Sequence, residues 1–211
     1  DYILFYRLGD FYEMFFDDAK LVSRELELTL TGRDCGLEER APMCGVPYHS
    51  AEGYIAKLVR KGYKIAICEQ MEDPKLAKGL VKREIIRRVT PGTVVEASML
   101  DENRNNFLGC VFAVQGGIGV CFADITTGEV YATGSDNWQD IASELGRFAP
   151  REVLVGGTAA TAESFHSFLK ERLEALIEPM PEECFDPQRA AARVMQHFCI
   201  EDFDAAGLTA L

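Results

Sequence analysis

Phe11-Tyr12-Glu13 places an aromatic ring and a carboxylate two positions apart. In an extended segment positions i and i+2 project to the same side, so the ring and the acid point together while Tyr12 points away. Such a ring can stack on a flat partner, and the neighbouring carboxylate can accept a hydrogen bond from that partner's edge. A plainer reading stands beside this one. Phe11 can be a core ring in an ordinary strand with Glu13 as its solvated neighbour, or Tyr12 and Met14 on the opposite face can form the core with Phe16. Further residues with chemical potential are Asp124 and Glu129 around a turn, Arg33 in a polar stretch, Met43 near Pro42 and Gly45, and the basic run Lys82, Arg83, Arg87 and Arg88. Alternation along that run puts Arg83 and Arg87 on one side, and solvation alone accounts for most of it.

The elements that must position these residues can be read from periodicity. A strand over 3–6, a turn at Gly9-Asp10 and a strand over 11–16 lead into an amphipathic helix. The helix opens with Asp17-Asp18, carries Ala19, Val22 and Leu26 on one face, and ends near Leu28. Residues 32–42 read as polar and irregular. A helix follows from Ala51, with Ser50 as N-cap and Gly62 as terminator, then strands over 63–68 and 81–89, the latter stopped by Thr90-Pro91-Gly92-Thr93. Residues 94–106, with Asp101, Glu102, Asn103, Arg104, Asn105 and Asn106, form a polar connection, and the domain boundary falls there, giving domains 1–95 and 96–211. Beyond it, runs over 107–114, 118–125 and 129–132 predict a three-stranded meander. Helices over 138–148, 162–173 and 187–198 alternate with strands over 152–155 and 176–178. The expected fold class is therefore α/β throughout: a mixed α/β first domain, then a second whose βββαβαβα order is ribonuclease-H-like.

That order raises the alternative of a metal-dependent nuclease, in which acidic residues hold two Mg²⁺ ions and one acid projects from the middle of the first strand. The strand over 107–114 contains no acid, and Asp124 and Glu129 are placed to flank a hairpin. No P-loop, dinucleotide fingerprint, zinc-protease motif or nucleophile elbow occurs, and Gly116-Gly117-Ile118-Gly119 lacks the Lys and helix of a phosphate loop. Catalysis, cofactor binding and metal binding are not expected of this chain. The seven cysteines form no C-x-x-C pair, and Cys68, Cys110 and Cys121 lie in apolar runs, as structural thiols do in a reducing cytosol. No apolar run approaches the ~18 residues needed to span a bilayer, so no membrane segment is expected. The first residue is Asp1, and a natural N-terminus upstream of it is expected.

The net charge of −12 is unevenly shared: residues 1–95 hold 15 Lys+Arg and 15 Asp+Glu, residues 96–211 hold 7 and 19. The first half can approach phosphate if its cations share a face, whereas the second is repelled by nucleic acid and suits a protein partner.

The run Gly9-Asp10-Phe11-Tyr12-Glu13-Met14-Phe15 resembles the mismatch-recognition domain of the MutS family. So do Pro42-Met43-Cys44-Gly45-Val46-Pro47-Tyr48-His49, Ala66-Ile67-Cys68-Glu69-Gln70 and Arg88-Val89-Thr90-Pro91-Gly92-Thr93, in that family's order and spacing. Asn105-Asn106-Phe107-Leu108 and Asp124-Ile125-Thr126-Thr127-Gly128 extend the likeness into its ribonuclease-H-like connector domain, while residues 200–211 are weak in motif. The resemblance implies binding to double-stranded DNA at mismatches or small loops, with Phe11 as wedge and Glu13 bonding the displaced base. Arg33 and Met43 are further candidates for the DNA-facing surface; a solvated Arg and a packed Met are equally open. It also implies a homodimeric full-length protein, an ATPase domain using ATP and Mg²⁺ outside this chain, a MutL-type partner, and a cytoplasmic, nucleoid-associated bacterial setting. A protein-interaction scaffold is the remaining alternative.

The physics supports that division of labour. A ring driven against a base step partly unstacks it, at about a few kcal/mol, and a mispair lowers this cost because its stacking is already compromised. A carboxylate near phosphates suffers repulsion unless a displaced base offers it a hydrogen bond, so the penalty is selective.

Overall fold

The computed structural model describes residues 2–36, 38–72, 79, 81–101 and 103–203. Glu102 of the polar connection and the end of the second domain from residue 204 lie outside the described residues. The chain divides into two compact units, Asp1–Leu100 and Asp101–Leu211.

The first unit is built on a six-stranded mixed sheet. Its strands are β1 (Ile3–Leu8), β2 (Phe11–Phe15), β3 (Thr31–Arg33), β4 (Ala41–Pro47), β5 (Ile65–Gln70) and β6 (Arg83–Val89), in the order β3-β4-β2-β1-β5-β6. Only β1 and β5 run parallel; every other neighbouring pair is antiparallel. Helices α1 (Phe16–Leu26) and α2 (Ala51–Arg60) bring Ala19, Val22, Ile55, Leu58 and Val59 onto one face of this sheet, against Phe5, Tyr12, Met14, Val46, Ile65 and Val89. Asp17 and Asp18 in the first turn of α1 complement its dipole, and Glu27, in a left-handed conformation, closes the helix with its N–H on the Ser23 carbonyl. Val94 and Met99 join the same core.

Four expectations are corrected here. The stretch over 32–42 is not wholly irregular: Thr31–Arg33 pairs with the start of β4 as a short edge strand, held by backbone pairing that its polar side chains do not advertise. Phe16 is not a core residue. It opens α1 at φ 54°, which breaks the alternation of β2 and leaves the ring exposed. Ser50 occupies the residue before α2, but its hydroxyl donates to the Pro47 carbonyl in the preceding 3₁₀ turn and does not cap the helix. Arg83 and Arg87 do not share a face. A bulge between Ile67 and Cys68 sets Arg87 opposite Ile67 and Arg83 opposite Gln70, residues of opposite parity on β5.

The second unit contains β7 (Phe107–Val114), β8 (Gly117–Asp124), β9 (Val130–Ser135), α3 (Trp138–Phe148), β10 (Glu152–Gly157), α4 (Glu163–Arg172), β11 (Leu176–Pro179) and α5 (Pro187–Phe198). Its sheet runs β11-β10-β7-β8-β9, with the meander antiparallel and β10 parallel to both β7 and β11. Numbered within the unit this is 5-4-1-2-3, the ribonuclease-H-like arrangement. Strict alternation along β7 and β8 sends Val111, Ala113, Val120 and Phe122 into a core with Ile141 and Leu145 of α3 and Phe165 and Leu169 of α4. Both units are thus α/β, as the sequence predicts.

Candidate nucleic-acid interface

The alternation of β2 sorts its side chains between two environments. Tyr12 and Met14 are 8% and 0% exposed in the helix-covered core, whereas Phe11, on the other face, is 46% exposed. This removes the reading of Phe11 as a core ring. Pairing then assembles that second face: Glu13 lies between Tyr6 of β1 and Gly45 of β4, and Phe15 stands opposite Met43, itself opposite Thr31 of β3. Phe11, Glu13 and Met43 therefore share one face, and Arg33 reaches it, since its guanidinium NH1 donates to Glu13 Oε2. All four sequence candidates are brought together on one surface.

Beneath the hairpin, on the core side, sits a polar clamp that the sequence reading did not single out. The Tyr12 hydroxyl donates to Glu69 Oε1, and Arg7 NH1 lies 3.4 Å from the same oxygen. The Arg7 guanidinium stacks 3.6 Å from the Tyr48 ring centroid, while its Nε donates to the Gly9 carbonyl at 2.5 Å. Tyr48 N–H in turn donates to the Asp10 carbonyl at 3.0 Å. Burial, and then the hydrogen bond and negative charge of Glu69, push the Tyr12 hydroxyl up to about 12, so it remains a donor at physiological pH. The clamp fixes the β1–β2 turn immediately before Phe11. Its one signal in the sequence is a charged Arg7 and Glu69, each adjoining apolar strand residues.

The basic run is largely committed to the fold. Arg83 lies over the Tyr6 ring at 5.0 Å and donates from Nε to the Arg7 carbonyl at 3.0 Å. Arg87 pairs with Glu96, and Lys82 with Glu84 at 2.7 Å. Arg88 approaches the Tyr2 ring at 6.0 Å.

In the second unit Asp124 is 1% exposed, and its carboxylate serves the turn. Oδ2 accepts from Asn106 N–H at 3.0 Å, and Oδ1 from both the N–H and hydroxyl of Thr126 at 2.8 and 2.6 Å. Glu129 accepts from Asn105 and Thr127 on the same hairpin. Both acids thus flank a turn. Among the described residues no group of three His, Cys, Asp or Glu could hold a metal ion. All seven cysteines are free, and burial pushes the Cys44 and Cys110 thiols up to about 11, away from reactive thiolate. No described helix is long and apolar enough to cross a membrane.

Comparison with known proteins agrees with this architecture. The family model for MutS domain I matches residues 1–98, and that for MutS domain II matches residues 106–211. The DNA mismatch repair protein MutS of Acetivibrio thermocellus is 51% identical over 201 residues, covering 94% of this chain and 23% of its own length. Its counterpart in Lachnoclostridium phytofermentans is 49% identical over 213 residues, covering 99% and 22%. That of Clostridium botulinum strain Okra is 54% identical over 189 residues, covering 88% and 20%. The chain therefore spans between a fifth and a quarter of the length of these curated relatives.

Proposed function

The chain belongs to the MutS family, with its domains I and II, and on that premise we propose that its first unit reads mismatched or looped-out bases in double-stranded DNA. The observation that carries this reading is the exposed Phe11 beside Glu13 on a face whose alternate residues, Tyr12 and Met14, are locked in the core. A ring held on a stiff strand, above the clamp of Arg7, Tyr12, Tyr48 and Glu69, can press on a base step without retreating into the protein. The duplex must then deform, and a mispaired step deforms at lower cost. Glu13 offers a hydrogen-bond acceptor to the base on which Phe11 stacks.

The second unit, rich in acids, serves as a connector and meets a protein of MutL type. The complete protein acts as a homodimer whose ATPase domain uses ATP and Mg²⁺, outside this chain. Binding without cleavage of nucleic acid suits Asp124, whose carboxylate is already engaged by Asn106 and Thr126.

Equilibrium binding of matched and mismatched duplexes by the complete protein tests the central claim. Phe11→Ala should abolish most of the preference, a loss of about 10- to 100-fold if the wedge carries a few kcal/mol. In a double-mutant cycle with Glu13→Ala the two effects should be coupled, since both side chains read one displaced base. Strictly additive effects, or an intact preference after Phe11→Ala, would refute the reading.

A further inference from the structure

We infer that Arg33 is a positioning residue for Glu13, holding its carboxylate neutralised and aimed on the open face of the sheet, and that it is not a phosphate contact. The inference rests on the proposed role of Glu13. Arg33 belongs to the edge strand β3, with the whole of β4 between it and β2, yet its NH1 reaches Glu13 Oε2. Gly45 is the β4 partner of Glu13. A Cβ at Gly45 would lie 3.4 Å from Glu13 Cγ and 3.2 Å from the Tyr12 carbonyl oxygen. The Glu13 side chain therefore lies over bare backbone, and any larger residue there would crowd it. The acid is the sunken partner, at 15% side-chain exposure against 43% for Arg33.

Charge makes this arrangement useful. An ionised carboxylate carried towards a phosphate polyanion meets repulsion and loses water; a cation already bound to it cancels the first and replaces part of the second. The planar guanidinium adds direction to charge. Because NH1 engages Oε2, it is Oε1 that would meet a base. A phosphate role would require Arg33 to leave this pair and restore the uncompensated charge at the moment of docking.

The test measures binding of a duplex with one unpaired thymine, and of its matched counterpart, across a salt series with the complete protein. The variants are Arg33→Ala, Arg33→Lys, Glu13→Ala, Phe11→Ala and the Arg33→Ala/Glu13→Ala double. Arg33→Ala should weaken mismatch binding about fivefold with Glu13 present and less than about twofold in the Glu13→Ala background, as expected for a coupled ion pair. Arg33→Lys should recover most of the loss, and the slope of log affinity against log salt should stay unchanged in Arg33→Ala. Equal losses in both backgrounds, with a slope shallower by about 0.9, would make Arg33 a phosphate contact and overturn the inference while leaving the mismatch reading standing. No loss in either background overturns it equally. Retention of full mismatch preference by Phe11→Ala would bring down the mismatch reading itself, and this inference with it.

Discussion

Asp124 and Phe11 end up in opposite environments for reasons that lie within a few residues of each. Burial alone would raise the Asp124 carboxyl, but hydrogen bonds from the Thr126 hydroxyl and from the N–H groups of Thr126, Asn106 and Thr127 outweigh it and hold the group below its ordinary value of 3.8. A depressed folded-state value stabilises the fold above the ordinary carboxylate range, and that contribution is lost as pH falls through the lower folded value. Denaturation of the chain between pH 2 and 7 should therefore show an acid-dependent loss of stability in the second unit that Asp124→Asn removes. At neutral pH the same substitution should destabilise by about 1–3 kcal/mol, because an amide returns only one acceptor oxygen to these four donors. The pH dependence persisting unchanged in Asp124→Asn would assign it elsewhere. For Phe11 the alternation of β2 was legible in the sequence, but which face of the strand is covered was not. Phe16 was misread because a φ of 54° at the helix start carries no sequence mark when the residue is not glycine.

Among the elements, those with strong periodicity were legible, including α3 and α5 to the residue and both hairpin strands of the second unit. The edge strand β3 and the bulge in β6 were not, since each depends on what a neighbouring strand offers rather than on its own composition. Gly157, at the end of β10, gives a test at this scale. Its φ is +59°, and a Cβ there would stand 2.1 Å from the Ala113 carbonyl oxygen of β7. Backbone cannot yield as a side chain can, so Gly157→Ala should cost about 3 kcal/mol or more in chemical denaturation. Gly146, on α3 with nothing near its missing Cβ, should tolerate Ala and gain about 0.5–1 kcal/mol from helix propensity. A Gly157→Ala chain as stable as the parent would show that β7 and β10 do not approach this closely.

For the molecule as a whole, the balance of charge bears on the proposed binding of DNA. The first half is neutral and several of its cations are already paired, Arg33 with Glu13 and Arg87 with Glu96 among them, while the second half is strongly acidic. Few counterions can then be released on binding. The 211-residue chain alone should bind matched duplex with a Kd weaker than about 1 μM at ~0.15 M salt, measured by fluorescence anisotropy; nanomolar affinity would contradict this. The sequence by itself determined the class of both units, the run of strands and helices apart from β3, the uneven charge and the pairing of ring and carboxylate at Phe11 and Glu13. These are local or additive properties, fixed by spacing and composition. Only the tertiary structure decided that both helices cover the Tyr12 face, leaving Phe11 outside, and that Arg33 on β3 reaches across β4 to Glu13. Those outcomes depend on strand order and register, which join residues far apart in the chain through backbone pairing that no single segment encodes.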